Sequence, residues 1–386
     1  PVGAVDQRLP LAFTHRQAVG SLGDRLPRGT AACRRLHDLQ GREVMGMILS
    51  GEITSALTTF AGLGLALILE DDGAERVRLG WTDAAEPQMV VTADGYDDEA
   101  IAVAVHEHAT ASVAPGSWVQ ADLESEPWVD KKGRWVAAVM SPRISRPDQG
   151  KDCKWEYLQK SRHSVIDRCR EDGSKWGDLE LMGGLGEPSY WWSKVDGGAS
   201  RWEMKTRQNY QNFVHDRLRG LAEIVATRDG ESIRSGLVGE VVIDEAYAKE
   251  SSEKSRTATG LTSPRFTDSA LAWCALWGIS SFPVIHRLTG ASVTAGAEPI
   301  GEFTPTHLVL PVLVGPHSLG RWRAMVVSEQ VIQAVEKAEP AVAARPARAW
   351  LVAHGARAIL TFRVNVSDNP NAPERSLGVG RLETLT

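Results

Sequence analysis

The chain reads as a mixed α+β protein, and three observations predict it. Helical and strand periodicities alternate irregularly along the 386 residues, and no fixed period of self-similarity recurs. An apolar share of 42% and a charged share of 24% belong to a chain that buries real cores, which excludes wholesale disorder and collagen-like sequence. At roughly 100–200 residues per domain, the length allows two or three such cores.

The elements follow in order. Pro1–Met45 is Arg-rich with weak periodicity. Thr54 or Ser55 caps a predicted helix through Leu69, whose apolar positions are Leu57, Phe60, Leu63, Leu65 and Ile68. The longest apolar stretch, Ile53–Leu69, is interrupted by Thr54, Ser55, Thr58 and Thr59, so no membrane span is expected. Val77–Trp81 and Met89–Ala93 read as strands around a turn that carries Pro87. Asp97, Asp98 and Glu99 place acids at the start of a helix that runs to about Ala109. Trp135–Met140 reads as a strand and Asp152–Arg170 as a helix. The rest of 151–198 reads as a long, Trp-rich, ordered loop.

Gln208–Arg228 has the helical period through Tyr210, Phe213, Val214, Leu218, Leu221, Ile224 and Val225, and Val238–Ile243 reads as a strand. Lys249–Pro264 is polar and free of aromatics, which predicts a linker. It separates an N-terminal α+β body, residues 1–250, from a C-terminal α+β lobe, residues 265–386. In that lobe Asp268–Trp277 is a predicted helix stopped by Gly278, and Ser328–Ala338 is a second one capped by Ser328. Phe282–Ile285, His307–Val314, Arg323–Val327, Ala349–Val352 and Ile359–Val366 read as strands, so no C-terminal helical bundle is expected.

The net charge of −6 hides an asymmetry. Ser50–Asp130 holds 16 acidic residues against Arg76 and Arg78, a local balance of −14, and the remainder sums to +8. One part would be repelled by a nucleic-acid backbone while another could lie against it. A free-standing nucleic-acid binder is usually basic overall, which fits better with a subunit that presents one basic face. Cys33, Cys153, Cys169 and Cys274 form no CxxC pair, as expected of reduced thiols in a cytoplasm, and PVGAVDQRLP has no secretory pattern.

Catalytic motifs are missing: the sequence has no GxxxxGK[ST], GxSxG or HExxH. His106 and His108 flank Glu107, but on a helix residues two apart point about 200° from each other and cannot share a metal. Cys153, Cys169 and His163 lack a fourth ligand at a fitting distance. Gly62-Leu63-Gly64 lies within a helix, and Pro188 follows Gly183-Gly184-Leu185-Gly186, so both read as packing or turn glycines. No catalytic residue, metal or cofactor is predicted.

Nucleic-acid chemistry is better represented. Lys205, Arg207, Gln208, Asn209 and Asn212 gather cations and amides at a helix start, where cations neutralise phosphates and amides can pair with an adenine edge. Lys131, Lys132 and Arg134 form a second basic cluster beside Trp128 and Trp135. Lys160, Arg162, Arg168 and Arg170 form a third, balanced by Asp167, Glu171 and Asp172. An ordinary solvated helix start or turn accounts for the same compositions.

Two stretches carry a family resemblance. Thr54–Asp83 (TSALTTFAGLGLALILEDDGAERVRLGWTD) pairs an F-A-G-L-G-L-A helix with a strand ending in Leu-Gly-Trp, and Thr267–Ile285 (TDSALAWCALWGISSFPVI) joins an Ala/Leu/Trp helix to a Phe-Pro strand. Together they resemble the large-subunit family of type I CRISPR effector complexes, in particular the compact I-U or I-G variants. The resemblance implies a non-catalytic subunit at the 5′ end of the crRNA, beside the backbone and crRNA-handle-binding subunits. Such a subunit reads the protospacer-adjacent motif on target double-stranded DNA, helps to open the duplex and offers a surface to the nuclease-helicase, while base pairing reads the remaining sequence. Many relatives end in a four-helix bundle, which this chain does not predict. Two other readings stay open. One is a metal-dependent α+β enzyme using carboxylates such as Asp244 and Glu245 at a cleft between lobes. The other is a scaffold protein rich in Trp contacts.

Overall fold

The computed structural model describes residues 36–37, 43–44, 46–129, 135–138, 140–142, 152–171, 176–188, 197–204, 213–245, 257–335, 344–366 and 375–385. The architecture is α+β, with helices packed among several small antiparallel sheets.

The first elements among the described residues are the two-residue strands β1 (Leu36–His37) and β2 (Glu43–Val44), followed by β3 (Gly46–Ile48). Helix α1 (Ala56–Asp71) is buried from Ala56 to Leu69, so it shows no polar face despite its four-turn length. Strands β4 (Glu75–Trp81) and β5 (Met89–Asp94) form the predicted hairpin and build a sheet in the order β3-β5-β4. Helix α2 (Asp98–Val113) starts at Asp97, whose carboxylate accepts from the Ala100 amide at 2.9 Å.

A second hairpin, β6 (Leu123–Val129) with β7 (Trp135–Ala138), precedes α3 (Asp152–Glu171). Part of the expected Trp-rich loop is helical: α4 spans Trp176–Leu185. It accommodates Gly184 because that glycine meets the backbone of Ile279 and Ser280, where a side chain would clash. The long helix predicted over Gln208–Arg228 is described from Val214 onward. It is a π-helical turn, Val214–Arg219, continuing into α5 (Gly220–Ala226).

The strand expected at Val238–Ile243 is absent. Helix α6 (Gly230–Val238) occupies its first residue, and Val241, Val242 and Ile243 follow as exposed irregular chain. The α6 signals were a cap, Asp229 accepting from Ser232 N at 2.7 Å, and a left-handed stop at Gly239 (φ 80°).

Residues 249–256 of the expected linker lie outside the described residues, and beyond them Thr259, Leu261 and Thr262 are buried. Asp268 caps α7 (Ser269–Trp277), accepting from Ala270 N at 2.8 Å, and a 3-10 turn, Gly278–Ser281, follows. Helices α1 and α7 pack together through glycines: a Cβ on Gly64 would fall 1.8 Å from Cys274 O, and one on Gly278 would fall 2.1 Å from Phe60 O. Phe60 stacks on Phe282 at 4.5 Å. One buried cluster therefore includes residues from both sides of 249–264.

Short strands β8 (Val284–Ile285), β9 (Val293–Thr294) and β10 (Ala297–Glu298) lead to β11 (His307–Leu313). Two expected strands are helices instead. Arg323–Val327 falls largely in α8 (Leu319–Val326), and Ala349–Val352 falls in α10 (Ala344–Ala353). Their buried positions, Leu319/Trp322/Val326 and Ala344/Ala347/Leu351, step by three and four, a helical period that the short apolar runs concealed. Between them α9 (Glu329–Gln333) is capped by Ser328 as predicted. Strand β12 (Ala356–Val366) is central: it pairs with β11 on one side and with β13 (Arg375–Leu377) and β14 (Arg381–Thr384) on the other.

Candidate nucleic-acid interface

The eight residues singled out for contact with DNA lie outside the described residues. Lys131, Lys132 and Arg134 belong to the connection between β6 and β7, and Lys205, Arg207, Gln208, Asn209 and Asn212 lie between Met204 and Phe213. The structure describes the stems from which both clusters depart. Trp202, Met204, Phe213 and Val214 are all buried, so the chain on either side of 205–212 is held in the core. Arg217 joins the two sides, donating from Nη1 to Glu203 O at 3.0 Å and also to Thr259 O.

The turn that carries Arg217 is π-helical, with Leu218 N donating to Phe213 O at 2.9 Å across five residues. Such turns occur mostly as single insertions in helices, frequently at functional sites. This turn also carries Arg219, which donates to Val119 O at 2.6 Å, Ala121 O at 3.2 Å and Asp122 Oδ1 at 3.1 Å. Residue 122 directly precedes β6, so Arg219 ties the π-helical turn to the start of the β6–β7 hairpin. The 131–134 turn lies at the other end of this hairpin, beyond the Val129–Trp135 pair.

The same geometry corrects the charge argument. Several cations counted in the +8 outside 50–130 are engaged inside the protein. Arg162, of the third cluster, is buried and donates to Glu187 Oε2 at 2.7 Å, to Gly186 O at 2.9 Å and to Met140 O. Arg201 is buried and donates to Phe303 O at 3.0 Å and Gly197 O at 3.2 Å. Arg228 bridges Glu245 and Asp268. Burial alone would pull its guanidinium down, but the hydrogen bonds it donates to these carboxylates outweigh that and hold it above its ordinary value. Arg234 is raised by hydrogen bonds to Glu231 and Glu240. These arginines satisfy loop carbonyls and buried acids, and composition cannot distinguish that use from a phosphate-binding face.

Asp244 and Glu245, the acids of the enzyme reading, are also engaged. Asp244 accepts from Thr267 N at 2.9 Å, and Glu245 accepts from Ser269 Oγ at 2.6 Å and from Arg228. Burial pushes the Glu245 carboxyl up, but its bonds from Arg228 and Ser269 leave it below the usual range. Both carboxylates fasten the chain before the linker region to the start of α7.

His106 and His108 diverge as helical spacing requires. His106 Nε2 lies 3.2 Å from Ala226 O, while His108 is buried edge-on to Trp277 at 4.3 Å. Cys169 is buried, and among the described residues no group of three or more His, Cys, Asp or Glu is placed to hold a metal. No helix among them is long and apolar enough to cross a membrane.

Sequence reasoning missed the π turn and the Arg228–Asp268–Glu245 network. Asp268 was visible as a cap, but nothing local pairs it with an arginine forty positions earlier. Comparisons of the chain with protein-family models, with curated proteins and with solved structures found no match.

Proposed function

We propose that the protein is a non-catalytic subunit of a cytoplasmic, RNA-guided surveillance complex. In this reading it touches target double-stranded DNA at the short motif beside the guide-paired segment and helps to open the duplex. Its partners would be crRNA, the backbone and crRNA-handle-binding subunits, and a nuclease-helicase. The observation that carries the reading is the packing of α1 on α7. The two stretches that resemble the type I large-subunit family, Thr54–Asp83 and Thr267–Ile285, lie far apart in the chain yet form one close-packed unit through Gly64 and Gly278.

The anchoring of the chain on either side of 205–212 supports the location of the DNA contact. A cationic, amide-bearing segment is useful for reading bases only if its base is held, because phosphate contacts fix register and base edges specify sequence. Arg217 and Arg219 supply that support. The acidic part, 50–130, would then face away from DNA or meet basic protein partners.

Affinity purification from the native host followed by RNA extraction tests the reading. Short RNAs of uniform length, co-purifying with other protein subunits, are the expected result. An RNA-free monomer overturns it.

A further inference from the structure

One face of the sheet around β12 carries polar chemistry in direct register across neighbouring strands. Glu298 of β10 stands opposite His307 of β11, and His307 stands opposite Arg363 of β12. Arg381 of β14 stands opposite Thr361, two residues from Arg363 on the same face. Diagonal neighbours of this kind lie about 7–8 Å apart. Arg363, Asn365 and Arg381 are exposed, while Leu308, Leu360 and Phe362 on the other face are buried in the core. Helix α10 meets the arginine-bearing face at its opposite end, where Arg348 pairs with Glu383.

The backbone fixes this row. Thr306 N donates to Glu298 O at 2.9 Å, and Val364 N donates to Thr306 O at 2.8 Å. The His307 ring is oriented through Nδ1, which lies 2.9 Å from Thr306 Oγ1 and 3.4 Å from a Glu298 carboxylate oxygen. Glu298 is sheltered behind it, at 12% side-chain exposure against 40% for His307. Partners on Nδ1 settle the ring and present Nε2, which meets no protein group among the described residues.

The two arginine side chains are equally unanswered: among the described residues neither Arg363 nor Arg381 has a hydrogen bond or an ion pair. Arg162, Arg201 and Arg228, by contrast, take carbonyls or carboxylates. The carboxylates on the described strands of this face, Glu298 and Glu383, already have partners. Guanidiniums so placed repel each other and gain nothing in the free chain, whereas an anion between them turns the same placement to use.

We infer that Arg363, Arg381 and the Glu298-backed His307 form a binding site for a phosphate monoester. Two uncompensated guanidiniums match the nearly two charges of such a group, and its three terminal oxygens give each arginine and His307 Nε2 an acceptor. In its doubly protonated form the imidazole donates from both nitrogens, Nδ1 toward Thr306 and Glu298 and Nε2 toward the ligand. A carboxylate or a phosphodiester brings a single charge and leaves one cation unanswered. The site uses no residue assigned to DNA contact, so it does not depend on the RNA-guided reading.

The test is isothermal titration calorimetry of the purified chain with phenyl phosphate, to about 10 mM at an ionic strength held constant with chloride. Saturable binding is expected, and diphenyl phosphate, a diester, should bind at least tenfold more weakly. A parallel titration with inorganic phosphate separates the two sources of the group: equal or weaker binding supports the ester, and binding of inorganic phosphate alone overturns it. Arg363→Ala and Arg381→Ala should each weaken phenyl phosphate at least tenfold, and His307→Gln at least threefold. Arg363→Lys keeps the charge but loses the fork, and should also weaken it. Arg357→Ala, at an exposed position near the start of the same strand, should leave affinity unchanged. These side chains are exposed or half-exposed, so unchanged thermal midpoints without ligand confirm folded variants. No saturable binding by the wild type, equal affinity for the diester, wild-type affinity in Arg363→Ala or Arg381→Ala, or an equal loss in Arg357→Ala each overturns the inference.

Discussion

Arg228 grips Asp268 at two points, with Nη1 2.9 Å from one carboxylate oxygen and 3.1 Å from the other. Both side chains are nearly sealed from water, at 6% and 1% exposure. The same Asp268 caps α7 and accepts from Ile243 N at 3.0 Å, so one carboxylate joins three chain segments. Removing the arginine leaves that carboxylate buried and unpaired. Arg228→Met should therefore cost about 3–5 kcal/mol, read as a lower urea midpoint with an unchanged slope. Asp268→Asn keeps a good capping residue and should cost less, about 1–3 kcal/mol. A loss below ~1 kcal/mol in Arg228→Met would show that the clamp contributes little.

Gly64 and Gly183 invite a paired test, because both sit inside helices but face different surroundings. A Cβ at Gly64 would overlap Cys274 O, whereas at Gly183 it would meet nothing within 4 Å. Gly64→Ala should force α1 away from α7 and destabilise by about 1–3 kcal/mol or more. Gly183→Ala should stabilise by up to about 1 kcal/mol, the ordinary gain of alanine over glycine in a helix. Thermal unfolding of the two variants should move in opposite directions.

That contrast explains how much of the fold was legible in the sequence. Helices α2 and α7 announced themselves through Asp97 and Asp268, because caps are local chemistry written beside the apolar run they start, whereas Ser55 stands at the start of α1 without a side-chain capping bond. The β4–β5 hairpin and β11 showed strand-like apolar runs for the same local reason. Helices α8 and α10 did not, because over four or five residues the runs Arg323–Val327 and Ala349–Val352 fit either period. For the candidate site, Arg162, Arg201, Arg217, Arg219 and Arg228 each take partners distant in sequence. A reading that counts charges saw a basic face where the fold uses staples.

His317 gives a dependence on pH. It is buried, with Nδ1 3.1 Å from Gly315 O and Nε2 without a partner among the described residues. Burial holds the imidazole down at about 4, the Gly315 bond opposing and Arg321 and Arg78 adding to the depression. The unfolded chain takes up a proton near pH 6.5 and the folded one does not, so stability is complete above that pH and falls as pH drops toward 4. This one group accounts for about 3 kcal/mol across the window. In His317→Leu the loss of stability between pH 7 and pH 4 should shrink by about that amount. Denaturation curves with the same pH dependence in both proteins would contradict the assignment.

The reading of DNA by 205–212 makes the most specific demand. Lys205 and Arg207 carry charge and no base preference, so Lys205→Ala and Arg207→Ala should weaken binding by the assembled complex equally on every target. Each should reduce the salt slope by about 0.9. Gln208, Asn209 and Asn212 can offer paired hydrogen bonds to a base edge, so their alanine variants should change preference at the flanking motif, by about 1–3 kcal/mol per lost pair. Their effect on unrelated sequences should be small. The support at Arg217 predicts a third pattern: Arg217→Ala frees Glu203 O and Thr259 O and loosens the stem without removing a contact. Affinity and preference should then fall together, since phosphate and base contacts both depend on one fixed register. Binding measured on a panel of flanking motifs separates the three patterns, and unchanged binding in all five contact variants would remove this segment from the interface.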